Sequence, residues 1–213
     1  MEWVNTNSCE VNFVTAVDTL LDERIVCSSG TGNITVWDMK TGKNNRWIAH
    51  THWIECVKVL FGLTIASGAR DGIIKIWDLS NLGDNIMYRG LQYLSNEHIV
   101  TNICFAGADR LVSSHQRTDS NLYVVNIWDF NSGVVIKQFR NIGLLGISAL
   151  QYYKGQILIG LSYKNGKDIA VWDFVFYSKP TEMLSGHEGK VTTLAVGDKL
   201  VSGSKDKTVK VWK

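Results

Sequence analysis

The sequence predicts an all-β fold built from a repeated antiparallel unit, and three observations carry that prediction. A hydrophobic residue precedes tryptophan five times, at Val36-Trp37, Ile76-Trp77, Ile127-Trp128, Val171-Trp172 and Val211-Trp212, and aspartate follows the first four at Asp38, Asp78, Asp129 and Asp173. The tryptophans stand 40, 51, 44 and 40 residues apart, a spacing at which one supersecondary unit recurs and stacks on its neighbours. Between them lie short runs of alternating apolar and polar residues, the pattern of half-buried strands. The 213 residues include 19 glycines and one proline, a composition suited to many short strands and tight turns.

Each unit can be aligned on its tryptophan. The first ends at Trp37, with Cys27 and Thr31 where later units place serine and aspartate, and with no histidine upstream. The second contains His52, Ser67, Asp71 and Trp77 at intervals of 15, four and six residues. The third repeats the first interval from His98 to Ser113, then enlarges its turn over residues 115–120, where Asp119 is the candidate acid before Trp128. In the fourth, Ile159 replaces serine, no histidine precedes it, and the turn over residues 163–168 is again long, before Trp172. The last unit has Gly186-His187, Ser202, Asp206 and Trp212 at the same 15, four and six. Its three strands cover roughly residues 191–194, 199–204 and 209–212, and a strand over 181–184 belongs to the unit before.

The Gly-His opening, the Ser-Gly-Ser-x-Asp turn and the terminal hydrophobic-Trp resemble the WD-repeat family of β-propellers. The resemblance covers almost the whole chain. It implies four-stranded antiparallel blades set radially around a channel, here five blades in one domain over residues 1–213. It also implies that Trp, Ser, His and Asp form a hydrogen-bonded chain within a blade, which assigns His52, Ser67, Asp71 and Trp77, then His98, Ser113, Asp119 and Trp128, then His187, Ser202, Asp206 and Trp212 to structural networks. Propellers of this family close by letting one terminus complete the blade begun by the other. The alternating segment Glu2-Trp3-Val4-Asn5-Thr6, within residues 1–9, is therefore expected to pair with the strand ending at Trp212 and to close the ring. Most domains of the family have seven blades, so a complete five-bladed ring and a fragment of a larger one remain the two readings.

The same residues exclude other chemistry. Histidine, serine and aspartate are the residue types of a hydrolase triad, but here the serine lies within a strand pattern and the set recurs, whereas a nucleophilic site occurs once at a sharp turn. No catalytic residue is assigned. His50 and His52 alternate without the third and fourth ligands of a zinc site, and Gly30-Thr31-Gly32 lacks the lysine and helix of a phosphate loop, so no metal or cofactor is expected. Cys9, Cys27, Cys56 and Cys104 have no C-x-x-C spacing and read as reduced thiols. Asn33-Ile34-Thr35 matches a glycosylation acceptor by chance, given an amino-terminal segment without secretory character. No apolar run approaches the roughly 18 residues of a membrane span. A cytoplasmic or nuclear location is expected.

The 22 basic and 20 acidic residues nearly cancel, so no overall field favours nucleic acid or membrane. The leading expectation is a non-enzymatic scaffold that binds a protein or peptide, within a multiprotein complex. A substrate-receptor propeller of the F-box type is the alternative, though no F-box-like helical segment is present. RNA or DNA binding ranks below it, resting on Lys190, Lys199, Lys205, Lys207, Lys210 and Lys213 in the last unit. Because histidine and aspartate must touch, their loops share one face, the usual docking surface of the resembled family. Expected there are Trp53, Glu55 and Arg70 of the second unit and Glu188, Lys190 and Lys205 of the last. The two long turns add His115, Arg117, Tyr163, Lys164 and Lys167. The connection over residues 80–95 falls toward the opposite face and could form a second site.

Overall fold

The computed structural model describes residues 13–81, 88–92, 98–107, 109–120, 122–139, 146–161, 168–173 and 180–212. In these residues 19 strands form five antiparallel sheets, each assembled in chain order. The first contains β1 (Val14–Thr19), β2 (Arg24–Ser29), β3 (Asn33–Asp38) and β4 (Asn44–Ile48). The second contains β5 (Ile54–Phe61), β6 (Thr64–Ala69), β7 (Ile73–Asp78) and β8 (Tyr88–Gln92). The third contains β9 (His98–Phe105), β10 (Arg110–Arg117), β11 (Tyr123–Asp129) and β12 (Val135–Phe139), and the fourth β13 (Ile147–Tyr153), β14 (Gln156–Leu161), β15 (Ile169–Asp173) and β16 (Glu182–Leu184). In the last sheet β17 (Val191–Val196), β18 (Leu200–Ser204) and β19 (Val209–Trp212) are the described strands. The segment expected to close the ring, residues 1–9, lies outside the described residues.

β-Branched residues and tryptophan fill the second and third strands of each sheet, where side chains must pack on both faces of a pleated surface. The innermost strands β1, β5, β9, β13 and β17 pack one against the next in that order. Each junction has its own apolar core. Val36 and Ile34 meet Ile54, Ile65 and Trp77. Ile74 and Ile76 meet Val100, Ile103 and Trp128. Val125 and Ile127 meet Ile147, Leu150 and Trp172. Ile169 and Val171 meet Val191, Leu194 and Trp212. At these four junctions the tryptophan of the later sheet (Trp77, Trp128, Trp172 or Trp212) thus faces the sheet before it, and the residues one and three positions before the tryptophan of the earlier sheet face the sheet after.

A register shift recurs at the start of every innermost strand, between Val14 and Ala16, Ile54 and Cys56, Ile147 and Ala149, and Val191 and Thr193, and opposite Val100 in the third sheet. Such a bulge re-aims the first apolar side chain of the strand. Here it turns that side chain onto the preceding sheet. Val100 lies against Gly68, and Val191 Cγ1 stands 3.1 Å from where a Cβ on Gly160 would fall.

Candidate functional site

The polar network of the last sheet is assembled from two strands, the loop before β17 and the turn between β18 and β19. Trp212 Nε1 donates to Ser202 Oγ at 2.9 Å, Ser202 Oγ lies 2.7 Å from His187 Nε2, and His187 Nδ1 lies 2.8 Å from Asp206 Oδ2. Asp206 Oδ2 also accepts the Glu188 N–H at 2.8 Å, and its Oδ1 accepts from Thr208. Burial alone would raise the Asp206 carboxyl, but the hydrogen bonds from Thr208, Glu188 and His187 prevail and hold it well below the usual carboxylate range. Facing a carboxylate, Nδ1 carries the proton in the neutral ring, so Nε2 accepts the serine O–H. Every polar atom of the buried chain is thereby used.

The second sheet carries the same chain with a different histidine. His50, not His52, supplies the ring. His50 Nδ1 is 2.8 Å from Asp71 Oδ2, His50 Nε2 is 2.7 Å from Ser67 Oγ, and Trp77 Nε1 donates to Ser67 Oγ at 2.8 Å. His52 is exposed and pairs with the neighbouring Thr51 hydroxyl at 2.9 Å. The physical reason is hairpin length. β5 is two residues longer than β17 (8 against 6), and the additional residues lie at the far end of the sheet. Counting 15 residues back from Ser67 therefore stops two short of His50, at His52. Burial raises the Asp71 carboxyl, and the His50 hydrogen bond and charge, with the Ile73 N–H, overcome it and leave it lowered.

In the third sheet His115 takes the place assigned to His98, and the expected docking role of His115 is corrected at the same time. The ring is fully buried, with Nε2 2.7 Å from Ser113 Oγ, and Trp128 Nε1 donates to the same oxygen at 2.8 Å. Two residues after Ser113 on one strand, His115 projects from the same face, so it enters the network from within the sheet. His98 opens β9 opposite Arg117, half-buried. Asp119 serves Arg117 instead of a histidine, through contacts of 2.9 and 2.5 Å. In the fourth sheet Trp172 is buried beside Phe139 with ring centroids 5.0 Å apart, and its indole N–H finds no acceptor among the described residues, because Ile159 fills the serine position.

At the network end of the strands, Trp53, Glu55 and Arg70 come together. Arg70 Nε meets Glu55 Oε1 at 2.5 Å and its guanidinium stands 5.0 Å from the centre of the Trp53 ring. Trp53 keeps 39% of its surface exposed while its ring lies 3.2 Å from where a Gly30 Cβ would be, so the indole both packs across the first junction and faces solvent. Beside this group opens a polar cavity of about 370 Å³, lined by Glu55, Arg70, Thr101, Asn102, Gln116 and Tyr123 with residues of β13. Burial, with the Glu55 charge adding, raises the Tyr123 phenol. Thr101, Asn102, Gln116 and Tyr123 were not singled out from sequence; the signal was the polar pair following Val100 on an otherwise apolar inner strand. Arg117 is half-buried near the same end, whereas Glu188, Lys190 and Lys205 belong to the last sheet, with the Lys205 N–H bonded to the Lys190 carbonyl at 2.9 Å. Tyr163, Lys164 and Lys167 lie outside the described residues. At the opposite end, Phe61, Phe105 and Phe130 cluster with ring centroids 5.5 to 5.8 Å apart beside an apolar cavity of about 350 Å³.

Comparison with known proteins agrees with this geometry. The family model described as "WD domain, G-beta repeat" matches residues 43–78 and 178–213, the stretches that contain the two complete networks. Mitochondrial division protein 1 of Kluyveromyces lactis is 26% identical over 212 residues, covering 84% of this chain and 29% of the relative. Its counterpart in Eremothecium gossypii is 25% identical, covering 88% and 29%. Protein ROOT INITIATION DEFECTIVE 3 of Arabidopsis thaliana is 28% identical, covering 85% and 44%. The chain thus spans less than half the length of these relatives.

Proposed function

The chain is a member of the WD-repeat family, and from that premise we propose that it is a non-enzymatic scaffold docking a protein or peptide on the network end of its sheets. In this reading the five sheets are five blades of one domain, and residues 1–9 supply the fourth strand of the last. WD-repeat proteins typically serve as interaction scaffolds, and the repeated His-Ser-Asp sets here are consumed in holding blades together. The polar cavity beside Trp53 carries the proposal. Its lining offers both donors and acceptors from three blades, while the Trp53 face and the Arg70 guanidinium are the residue types in which binding energy concentrates. A peptide crossing the cavity would hydrogen-bond to its polar lining and stack an apolar side chain on Trp53. The partner class is protein, in a cytoplasmic or nuclear complex.

Affinity capture from the native cell tests this reading when wild type is compared with Arg70→Glu and with Thr101→Arg, which fills the cavity. Partners retained by wild type and lost from both variants support it. Partners retained equally by all three place docking elsewhere.

A further inference from the structure

At the end of the sheets far from the networks, four units set the same two positions side by side. The aspartate that follows the tryptophan pairs with the first residue of the second strand: Arg24 with Asp38, Thr64 with Asp78, Arg110 with Asp129 and Gln156 with Asp173. In the third sheet this is an ion pair, with Arg110 Nη1 2.8 Å from Asp129 Oδ2. In the first, Arg24 turns to Asp22 of its own hairpin. In the second, the short Thr64 stands where those arginines stand, and Asp78 makes no ion pair among the described residues. Asp78 Oδ1 accepts the Ser80 N–H at 2.9 Å, and the hydrogen bonds from Ser80 hold the carboxyl below its ordinary range, so it is ionised at neutral pH.

Next to Thr64 and Asp78 lies the apolar cavity of about 350 Å³ between the second and third sheets. Thr64, Ile76 and Asp78 share the face of the second sheet that is turned toward the third. Phe61 and Phe130 line the cavity, one from each sheet. A second bulge, between Val59 and Phe61, re-aims Phe61, and among the described residues no other innermost strand pairs with a second bulge. Phe61 stays 48% exposed although its ring centroid stands 5.5 Å from those of Phe105 and Phe130. Lys75, the cation of β7, is engaged elsewhere, its Nζ donating to the Ala49 carbonyl at 2.7 Å. Two aromatic rings and an ionised carboxylate thus border a cavity whose described lining contains no cation.

We propose that this cavity receives an arginine side chain of a partner protein, with the guanidinium on the Asp78 carboxylate and its plane against the rings of Phe61 and Phe130. The chain itself selects the occupant. In the third sheet an arginine fills the register position that Thr64 leaves short, and it meets the equivalent carboxylate. At the network end the Arg70 guanidinium lies over Trp53, 5.0 Å from the ring centre, and bonds Glu55, so the same three groups meet with the guanidinium supplied from within. A lysine ammonium fits less well. It is strongly hydrated and must shed that water among apolar walls, whereas a guanidinium is weakly hydrated and stacks on aromatic faces. The volume stands near the lower limit of ligand pockets and suits one side chain. The site lies at the opposite end from the polar cavity beside Trp53 and does not depend on docking there.

Titration of the isotope-labelled 213-residue chain with the blocked tripeptide acetyl-Gly-Arg-Gly-amide, followed by amide NMR, tests the proposal. Saturable shifts are expected at Thr64, Asp78 and Ser80. The lysine tripeptide should bind several-fold more weakly, and the citrulline tripeptide, alike in shape but uncharged, should give no shift. Asp78→Asn keeps the oxygen that accepts the Ser80 N–H, so the turn stands, and should lower affinity about tenfold or more. Phe61→Ala should lower it several-fold. Thr64→Arg supplies the guanidinium from within, as Arg110 does, and should abolish binding. Arg89 pairs with Ile76 across β7 and β8. Arg89→Ala should leave the titration unchanged; a gain in affinity would mean that the chain fills its own cavity, and overturns the proposal. Arginine bound equally by wild type and Asp78→Asn, or lysine bound as well as arginine, also overturns it. Free arginine bound more tightly than the tripeptide would assign the cavity to the amino acid and overturn a partner protein as the source. Arg70→Glu, at the network end, should leave the titration unchanged, so the two docking sites are read separately.

Discussion

His50 Nδ1 stands 2.8 Å from Asp71 Oδ2, joining residues 21 apart in sequence and tying the segment that enters β5 to the turn between β6 and β7. The backbone strengthens the tie, because the amides of Ala49 and His50 both donate to the Gly32 carbonyl of the first sheet. Gly32 adopts a positive φ of 79°, and a Cβ there would collide with the His50 carbonyl. One histidine thus couples the turn of its own sheet to the turn of the sheet before, at the end where Trp53 and Arg70 gather.

Replacing His50 with alanine leaves the Ser67 hydroxyl and the Asp71 carboxylate buried without their partner, a loss of about 1–3 kcal/mol. His52→Ala removes an exposed ring that, among the described residues, bonds only to Thr51 Oγ1, and should change stability by no more than about 0.5 kcal/mol. Urea unfolding of the two variants beside wild type measures the difference. Equal losses would return His52 to the network.

The lowered carboxyls of Asp71 and Asp206 set an acid limit. A carboxylate whose pKa is depressed by folding contributes stability that is fully present above its unfolded value, about 3.9, and is lost as pH falls through the folded value. Both groups are lowered in the folded protein, so their contribution is constant near neutrality and fades below about pH 4. Asp71→Asn should lower the thermal midpoint at pH 7 and flatten its fall between about pH 4 and 2. A midpoint that falls as steeply as in wild type over that window would assign the acid sensitivity to other groups.

The repeat was legible because tryptophan must meet the sheet before it and its apolar neighbours the sheet after it, each at a fixed place, and a fixed place gives a fixed spacing. The histidine was misplaced for the opposite reason. Counting from Ser67 back to His52 crosses the β5–β6 hairpin, whose far end can lengthen without disturbing either network or junction. Counted from the strand start, His50 precedes Ile54 by four residues as His187 precedes Val191, and that interval spans only the loop that the ring itself must close. His115 was illegible because the alternation that places it on the Ser113 face is shared by every strand residue. The cavity was half legible. Glu55 and Arg70 flank the network in sequence, but Thr101, Gln116 and Tyr123 reach it only because three strands of the third sheet converge beside the second.

His115 gives a separate pH dependence that sets in nearer neutrality. Burial, with the nearby His98 charge adding to it, brings the imidazole down to about 3 in the folded protein, against an ordinary value of 6.5. The unfolded chain therefore takes up the proton first as pH falls. The stability tied to a neutral His115 is complete above about pH 6.5 and is lost progressively toward pH 3, with a slope approaching about 1.4 kcal/mol per pH unit. His115→Gln removes this titration. Unfolding free energies at pH 7, 6 and 5 should fall for wild type and stay more nearly level for the variant, before the carboxylates begin to titrate. Parallel lines for the two proteins would show that His115 takes up its proton in the folded state as readily as in the unfolded one.

Lys207 occupies the turn position that Gly72 fills in the second sheet, immediately after the network aspartate, and both have positive φ, 67° and 77°. At such angles a side chain crowds the backbone, whereas glycine does not. The Lys207 side chain is exposed and its amide already donates to the Ser204 carbonyl at 3.2 Å, a bond that glycine would keep. Lys207→Gly relieves the strain and loosens the unfolded chain, two effects of opposite sign, each of order 1 kcal/mol. The turn is closed by Asp206 bonding to Thr208 and Glu188, so the folded geometry is held whichever residue stands at 207. The expected net gain is a few tenths to about 1 kcal/mol, with the network intact. Thermal and urea unfolding of Lys207→Gly against Lys207→Ala checks it, because alanine shares the strain and lacks only the charge. Glycine should raise the midpoint and alanine leave it nearly unchanged; a lower midpoint for glycine would mean that the left-handed turn costs lysine nothing here.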